Sequence, residues 1–341
     1  MKTRIVLLSL LCLHLSDAFS CTMVYWNTND QAKVVARTVD LLIADYPKIV
    51  VYPRGMARHD GAGINSIKWT SKYGSVAVRE FNTDAISEGI NEHGLAVQLL
   101  YLTGSSYGKN ETLPKLSNLL WAQYLLDNYK TVDEALQDKD KFQLVETIAF
   151  NQKWPLHLSM QDATGDAAVI EFINGKKTIY HGNQYNIMTN DPAYNIQLEN
   201  LKRYQSFGGT LSLPGDIDPL SRFVRVATYM KTLPAPKNTR EALAGVLSVI
   251  RTAMVPFGAI DTSGSNAEDA WPTRWVSVAD LTHKTYYFSS TTTPNIIWLH
   301  LDDLDFSSGK PVLSIDPDNI NLVGNVKIQL QEEKSTNSQN K

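Results

Sequence analysis

A chain of 341 residues with 43% hydrophobic side chains has ample material for a large buried core, which excludes intrinsic disorder. Its formal charge is −3, from 32 Lys and Arg against 35 Asp and Glu, and no basic block stands out. That balance argues against nucleic acid or a membrane surface as partner.

The first twenty residues read as a secretory signal. A basic start containing Lys2 and Arg4 leads into an apolar stretch from Ile5 to Leu15, followed by Asp17, Ala18, Phe19 and Ser20. Ala18 and Ser20 supply the small side chains of a cleavage site after Ser20. Losing Lys2, Arg4 and Asp17 takes the formal charge from −3 to −4. Of the two cysteines, Cys12 lies inside the leader, so Cys21 becomes both the one remaining thiol and the new N-terminus. An α-amine titrates near ~7.7–8.0 and a thiol near ~8.5, so one residue carries a nucleophile and its own general base. Two other readings stand beside this one. Cys21 could be the acylated first residue of a lipoprotein, although Phe19 and the lack of an aliphatic residue at position 18 fit that poorly, or it could be incidental. Beyond the leader no apolar run approaches the ~18–20 residues that span a bilayer.

From residue 22 to 102 the chain reads as strands. The β-branched runs 34–35, 49–52 and 75–78 are separated by turn signals, and Asn91-Glu92-His93-Gly94 reads as a hairpin into residues 95–101. Leu116, Leu119, Leu120, Tyr124 and Leu125 change the period to that of an amphipathic helix. Thr131-Val132-Asp133-Glu134 opens a second helix with a capping pattern. Strands return over residues 155–188, helices follow over 193–204, 221–232 and 240–254, and strands close the chain over 274–301. No linker or internal repeat divides it. This order fits two packed sheets between helical layers in one domain. The boundaries are a leader over 1–20, one domain over 21–331 and a polar tail over 332–341.

The chemistry gathers in short motifs. Cys21-Thr22-Met23 is followed by Ala36-Arg37-Thr38-Val39-Asp40 and by Asn91-Glu92-x-Gly94-Leu95, which runs to Tyr101. Met188-Thr189-Asn190-Asp191-Pro192, Leu213-Pro214-Gly215-Asp216, Ser221-Arg222-Phe223-Val224-Arg225 and Thr273-Arg274-Trp275 complete the set. In this order and spacing the chain resembles the choloylglycine hydrolase family, which includes bile salt hydrolases and penicillin V acylases. Trp69-Thr70-Ser71-Lys72-Tyr73-Gly74 is similar to its exported Gram-negative members.

The resemblance implies an α+β architecture, an αββα sandwich of two antiparallel sheets between helical layers, the N-terminal-nucleophile hydrolase fold. It implies that Cys21 attacks a linear amide of an N-acyl substrate, with Arg37 beside the sulfur and Asp40 on the α-amine. Asn190 and the backbone N–H of Tyr101 would bind the oxyanion, Arg222 would be a site arginine, and Arg225 structural. Met23, Leu41 and Leu100, where the chain departs from the family's usual residues or offers an aliphatic wall, would shape the acyl pocket. A homo-oligomer, a tetramer by resemblance, and an exported location complete the expectation. N-acyl homoserine lactones are an alternative substrate to penicillins and conjugated bile acids, and a lipidated binding protein on the same fold is the non-catalytic alternative. No cofactor or metal is expected, because the histidines lack ligand spacing and no glycine-rich phosphate loop occurs. Asp302-Asp303-Leu304-Asp305 reads as a solvated turn.

Overall fold

The computed structural model of the protein describes residues 20–59, 63, 65–149, 151–260 and 271–333. The leader up to residue 19 and the tail from residue 334 lie outside the described residues, as do the expectations placed on them.

The β-branched runs pair into two large sheets. One has seven strands in the order Ile187–Thr189, Ser20–Trp26, Val34–Asp40, Thr273–Asp280, Thr285–Ser290, Ile297–His300 and Gly324–Asn325. All neighbours are antiparallel except the last pair. The other has nine, in the order Lys176–His181, Ala167–Ile173, Leu156–Gln161, Ala96–Tyr101, Ile86–Asn91, Ser75–Arg79, Lys48–Tyr52, Leu313–Ile315 and Gln331–Glu332. It is antiparallel throughout.

Pleating sends successive side chains of a strand to opposite faces, and this sorts the core. Ile49, Val51, Val76, Val78, Ala96 and Leu100 join the core shared with the seven-stranded sheet. Their neighbours Val50, Ala77, Val97 and Leu99 join a second core under helices α1 (Trp121–Asn128) and α2 (Val132–Gln137). Helix α3 (Tyr194–Leu201) runs beside α4 (Pro219–Thr232), and α4 and α5 (Thr239–Arg251) cover the outer face of the seven-stranded sheet. The layers are therefore helix, sheet, sheet, helix, as the resemblance implies.

Local chemistry sets the helix ends. Thr131 Oγ1 caps α2 by accepting from the Glu134 N–H at 3.2 Å, and Glu134 Oε2 reaches back one residue past the cap to accept from Lys130 N at 2.8 Å. Asp218 and Asn238 cap α4 and α5 in the same manner, with Pro219 in the first turn of α4. Two expectations are corrected. Leu116 lies in a short strand, Lys115–Ser117, and Ser117 then caps a tight turn, so α1 begins only at Trp121. Glu332, placed with the polar tail, belongs to the edge strand, and Glu333 pairs with Arg79.

The hairpin after Asn91 is tied to α1 by one side chain. Asn91 Nδ2 donates to the carbonyls of Leu126 and Tyr129 at 3.0 and 2.7 Å, while Oδ1 accepts from His93 and Leu95 N–H. Gly94 closes the turn at φ 84°, where a Cβ would come within 2.6 Å of the Leu281 carbonyl.

Candidate active site

Strand register brings the first two site residues together. Cys21 pairs with Val39 and Met23 with Arg37, so Cys21 and Arg37 are diagonal neighbours on the face turned to the other sheet. Arg37 Nη2 stands 3.7 Å from Cys21 Sγ, and both residues are buried. Burial pushes the thiol up and the Arg37 charge opposes it, with burial the larger effect. Arg37 is itself braced. Nη1 donates to the Ser87 carbonyl at 2.9 Å and faces Glu88 Oε2 at 3.5 Å. The Trp275 ring centroid lies 5.8 Å from the guanidinium, and the Tyr286 hydroxyl donates to Glu88 Oε1.

The opposite face of the same two strands carries Thr22, Thr38 and Asp40. Asp40 Oδ1 accepts from Thr273 Oγ1 at 2.6 Å, and Oδ2 accepts from Thr38 Oγ1 at 3.2 Å and Arg222 Nη1 at 2.9 Å. Arg222 Nη1 also donates to Thr22 Oγ1 at 2.8 Å. Burial pushes the Asp40 carboxyl to about 6, against the pull of Arg222. The Asp40 carboxylate is occupied by Thr38, Thr273 and Arg222, whereas the nitrogen of Cys21, here an amide bonded to Ser20, donates to Asn190 Oδ1. Arg222 lies behind the sheet, not in the cavity wall, because it projects from α4 on the outer layer. Arg225 clamps the loop before α4 through the Thr252, Pro214 and Asp216 carbonyls.

Asn190 links the nucleophile to the neighbouring sheet. Its Nδ2 donates to the Tyr101 carbonyl at 2.8 Å while its Oδ1 takes the Cys21 N–H. Gln197, absent from the sequence reading, holds the Asn190 turn. Its Nε2 donates to the Asn190 and Pro192 carbonyls at 2.8 and 2.6 Å, and its Oε1 accepts from Thr189 Oγ1 at 2.6 Å. A glutamine on a helix face carries no such signal until the turn folds against it.

A cavity of about 310 Å³ opens beside the sulfur, with Cys21, Arg37, Leu41 and Tyr101 in its wall. Met23 and Leu100 do not line it. Met23 is buried between the sheets with its sulfur 3.7 Å from Gln161 Nε2, and pleating turns Leu100 into that core while Leu99 reaches the wall. Glu80, Phe81 and Thr83 from one turn, Leu119 and Leu120, and Trp154 complete most of the enclosure. The sequence reading passed over this turn; its polar run Asn82-Thr83-Asp84 is a local signal for it, but nothing local tells which cavity a turn faces. Leu119 and Leu120 carried helical periodicity and serve here as wall. Among the described residues, no three His, Cys, Asp or Glu side chains group as a metal site.

The sequence model described as linear amide C–N hydrolases, choloylglycine hydrolase family, matches residues 21–314. This chain belongs to that family. It is a hydrolase of carbon–nitrogen bonds in linear amides, which sets aside the non-catalytic alternative. It is 36% identical over 333 residues to a penicillin V acylase of Pectobacterium atrosepticum, covering 90% of this chain and 88% of that one. A bile salt hydrolase/transferase of Clostridium perfringens is 26% identical over 239 residues, 61% and 70% of the two chains. The structure of a penicillin V acylase from Agrobacterium tumefaciens superposes with a TM-score of 0.82 at 38% identity, over 92% of this chain and 98% of that one. A variant of the Clostridium perfringens conjugated bile acid hydrolase shares the fold, with a TM-score of 0.74 at 21% identity over 87% and 97%. No described helix of this choloylglycine-family chain is long and apolar enough to cross a membrane.

Proposed function

We propose that this choloylglycine-family hydrolase is an N-terminal cysteine amidase of the penicillin V acylase type. The observation that carries the proposal is the placement of Cys21. Its sulfur lies in the wall of an apolar cavity beside Arg37, and its nitrogen meets Asn190. Removal of the leader after Ser20 converts that nitrogen into an α-amine. The amine takes the thiol proton, and the thiolate attacks the acyl carbonyl. Asn190 Nδ2 has two N–H bonds, one of which meets the Tyr101 carbonyl. The second, with the Tyr101 backbone N–H, is the donor pair we assign to the oxyanion. The α-amine then protonates the leaving amine, and water releases the acid from the thioester.

The acyl group follows from the enclosure. About 310 Å³ is at the small end of the ~300–1,000 Å³ typical of ligand pockets. The Phe81 and Trp154 rings, 5.4 Å apart, suit an aryl ring on a short linker such as phenoxyacetyl. Leu41, Leu99, Leu119 and Leu120 favour a second reading, a flexible aliphatic acyl chain such as that of an N-acyl homoserine lactone. A rigid conjugated bile acid fills this volume less readily.

The test is amine release from phenoxymethyl penicillin, a conjugated bile acid and an acyl homoserine lactone, with Cys21→Ser alongside. Turnover of phenoxymethyl penicillin that disappears in Cys21→Ser supports the proposal, and wild-type rates in that variant overturn the mechanism. Intact mass of the secreted product tests export and a free Cys21, since lipidation adds the mass of its acyl chains. Light scattering tests the homo-oligomer carried over from the resemblance.

A further inference from the structure

Helix α3 does not cap itself. Its first N–H, on Tyr194, has no partner within the helix, and Ala193 at the cap has no side-chain acceptor to offer. The partner comes from the nine-stranded sheet. Both carboxyl oxygens of Glu171 accept from Tyr194 N at 3.0 Å. Glu171 is held in turn by His157, which stands one step along the ladder from the Leu158–Ile170 pair, with its Nδ1 3.0 Å from Glu171 Oε1. Both side chains are buried. The same helix carries this anchor to the site. Gln197 on α3 donates to the Asn190 and Pro192 carbonyls, and Asn190 reaches Cys21 in one sheet and Tyr101 in the other. The Asn190 amide is therefore placed from two ends. One is the strand Ile187–Thr189, which pairs with the Cys21 strand, and the other is Glu171, acting through α3.

We infer that Glu171 is a positioning residue for the oxyanion donor: it fastens the start of α3 to the nine-stranded sheet and so sets, through Gln197, where the Asn190 amide stands. The inference rests on the amidase reading above and adds a residue to its machinery. Glu171 does not line the cavity, so its loss reaches the substrate through Asn190. Without Glu171 the buried Tyr194 N–H has no acceptor, which is costly. A shift of α3 that finds it another partner carries Gln197 and Asn190 along. Misplacing a catalytic group by about 1 Å can cost ~10²-fold in rate. The competing role is support of the fold alone, with no preferential effect on the donor.

The test is a double-variant cycle read as kcat and KM. Its substrate is whichever of phenoxymethyl penicillin, a conjugated bile acid and an acyl homoserine lactone the wild type cleaves. Glu171→Leu should lower kcat roughly 10–100-fold with KM within about twofold, because the donor acts in the transition state. Glu171→Gln, which keeps an oxygen for the Tyr194 N–H, should retain most of the wild-type kcat. Placed in Asn190→Leu, Glu171→Leu should cost less than about twofold more, since the donor it positions is already gone. Losses that multiply in the double variant make Glu171 a support of the fold alone and overturn the inference, as does a wild-type kcat in Glu171→Leu. If Glu171→Leu does not fold, Glu171→Asp, whose carboxyl falls one carbon short of the helix, takes its place in the cycle and is read in the same way. If the wild type cleaves none of the three amides, the amidase reading has failed, and crystal structures of the wild type and Glu171→Leu decide the positioning role. An Asn190 Nδ2 that has left the Tyr101 carbonyl supports it, and one still within hydrogen-bond distance overturns it.

Discussion

Arg222→Met is the substitution whose consequence the structure defines most sharply. Arg222 and Asp40 are fully buried, and the pair is joined at 2.9 Å. Removing the guanidinium leaves a carboxylate in low dielectric with only the hydroxyls of Thr38 and Thr273 as partners. Breaking a buried pair from one side costs about 3–5 kcal/mol, because the remaining charge is uncompensated. The cost depends on pH. The folded-state pKa of Asp40 is already about 6 with Arg222 present, against an ordinary 3.8. A carboxyl raised in this way contributes stability that is fully present below pH 3.8 and is lost as pH rises through about 6. Without Arg222 the folded-state value moves higher still, so near pH 5 the variant protonates Asp40 and escapes most of the charge penalty.

Urea unfolding followed by tryptophan fluorescence at pH 5 and pH 8 measures this. The expected loss is about 3–5 kcal/mol at pH 8 and roughly 1–2 kcal/mol at pH 5, where the missing hydrogen bonds remain. Adding Asp40→Asn to Arg222→Met should recover most of the difference at pH 8, since an amide can still bond to Thr38 and Thr273. Equal losses at the two pH values, or no recovery in the double variant, would refute the view that Arg222 holds a buried charge in place.

Two further outcomes follow from the same geometry. Asn190→Leu removes the amide that joins Cys21 to Tyr101, and kcat should fall about 10²–10³-fold, as for loss of one oxyanion donor; a rise in KM with kcat unchanged would move Asn190 from the oxyanion to substrate binding. Arg37→Met removes the charge that opposes the burial shift of the Cys21 thiol. The midpoint of iodoacetamide alkylation should therefore move to higher pH, and an unchanged midpoint would separate Arg37 from the thiol's ionisation.

Several features of the fold were written locally. The capping residue Thr131, the hairpin at Asn91 and Gly94, and the β-branched runs at 49–52 and 75–78 specify their elements through near neighbours alone. Leu116 misled for the same reason: its helical spacing to Leu119 and Leu120 is real, but pairing of Lys115–Ser117 with Gln143–Val145 outweighs it.

Motif order and spacing carried a family resemblance, and that resemblance implied that Cys21, Arg37, Asp40, Tyr101 and Asn190 belong to one site; the register of the first two strands does set Cys21 beside Arg37. Tertiary structure alone decided which face each side chain occupies. It sent Asp40 and Arg222 behind the sheet, turned Leu100 into the core in favour of Leu99, and brought Glu80, Phe81 and Trp154 to the cavity wall. The physical reason is range. Caps, turns and alternation act over a few residues and can be read along the chain, whereas a cavity is enclosed by side chains from distant segments whose meeting depends on how two whole sheets pack.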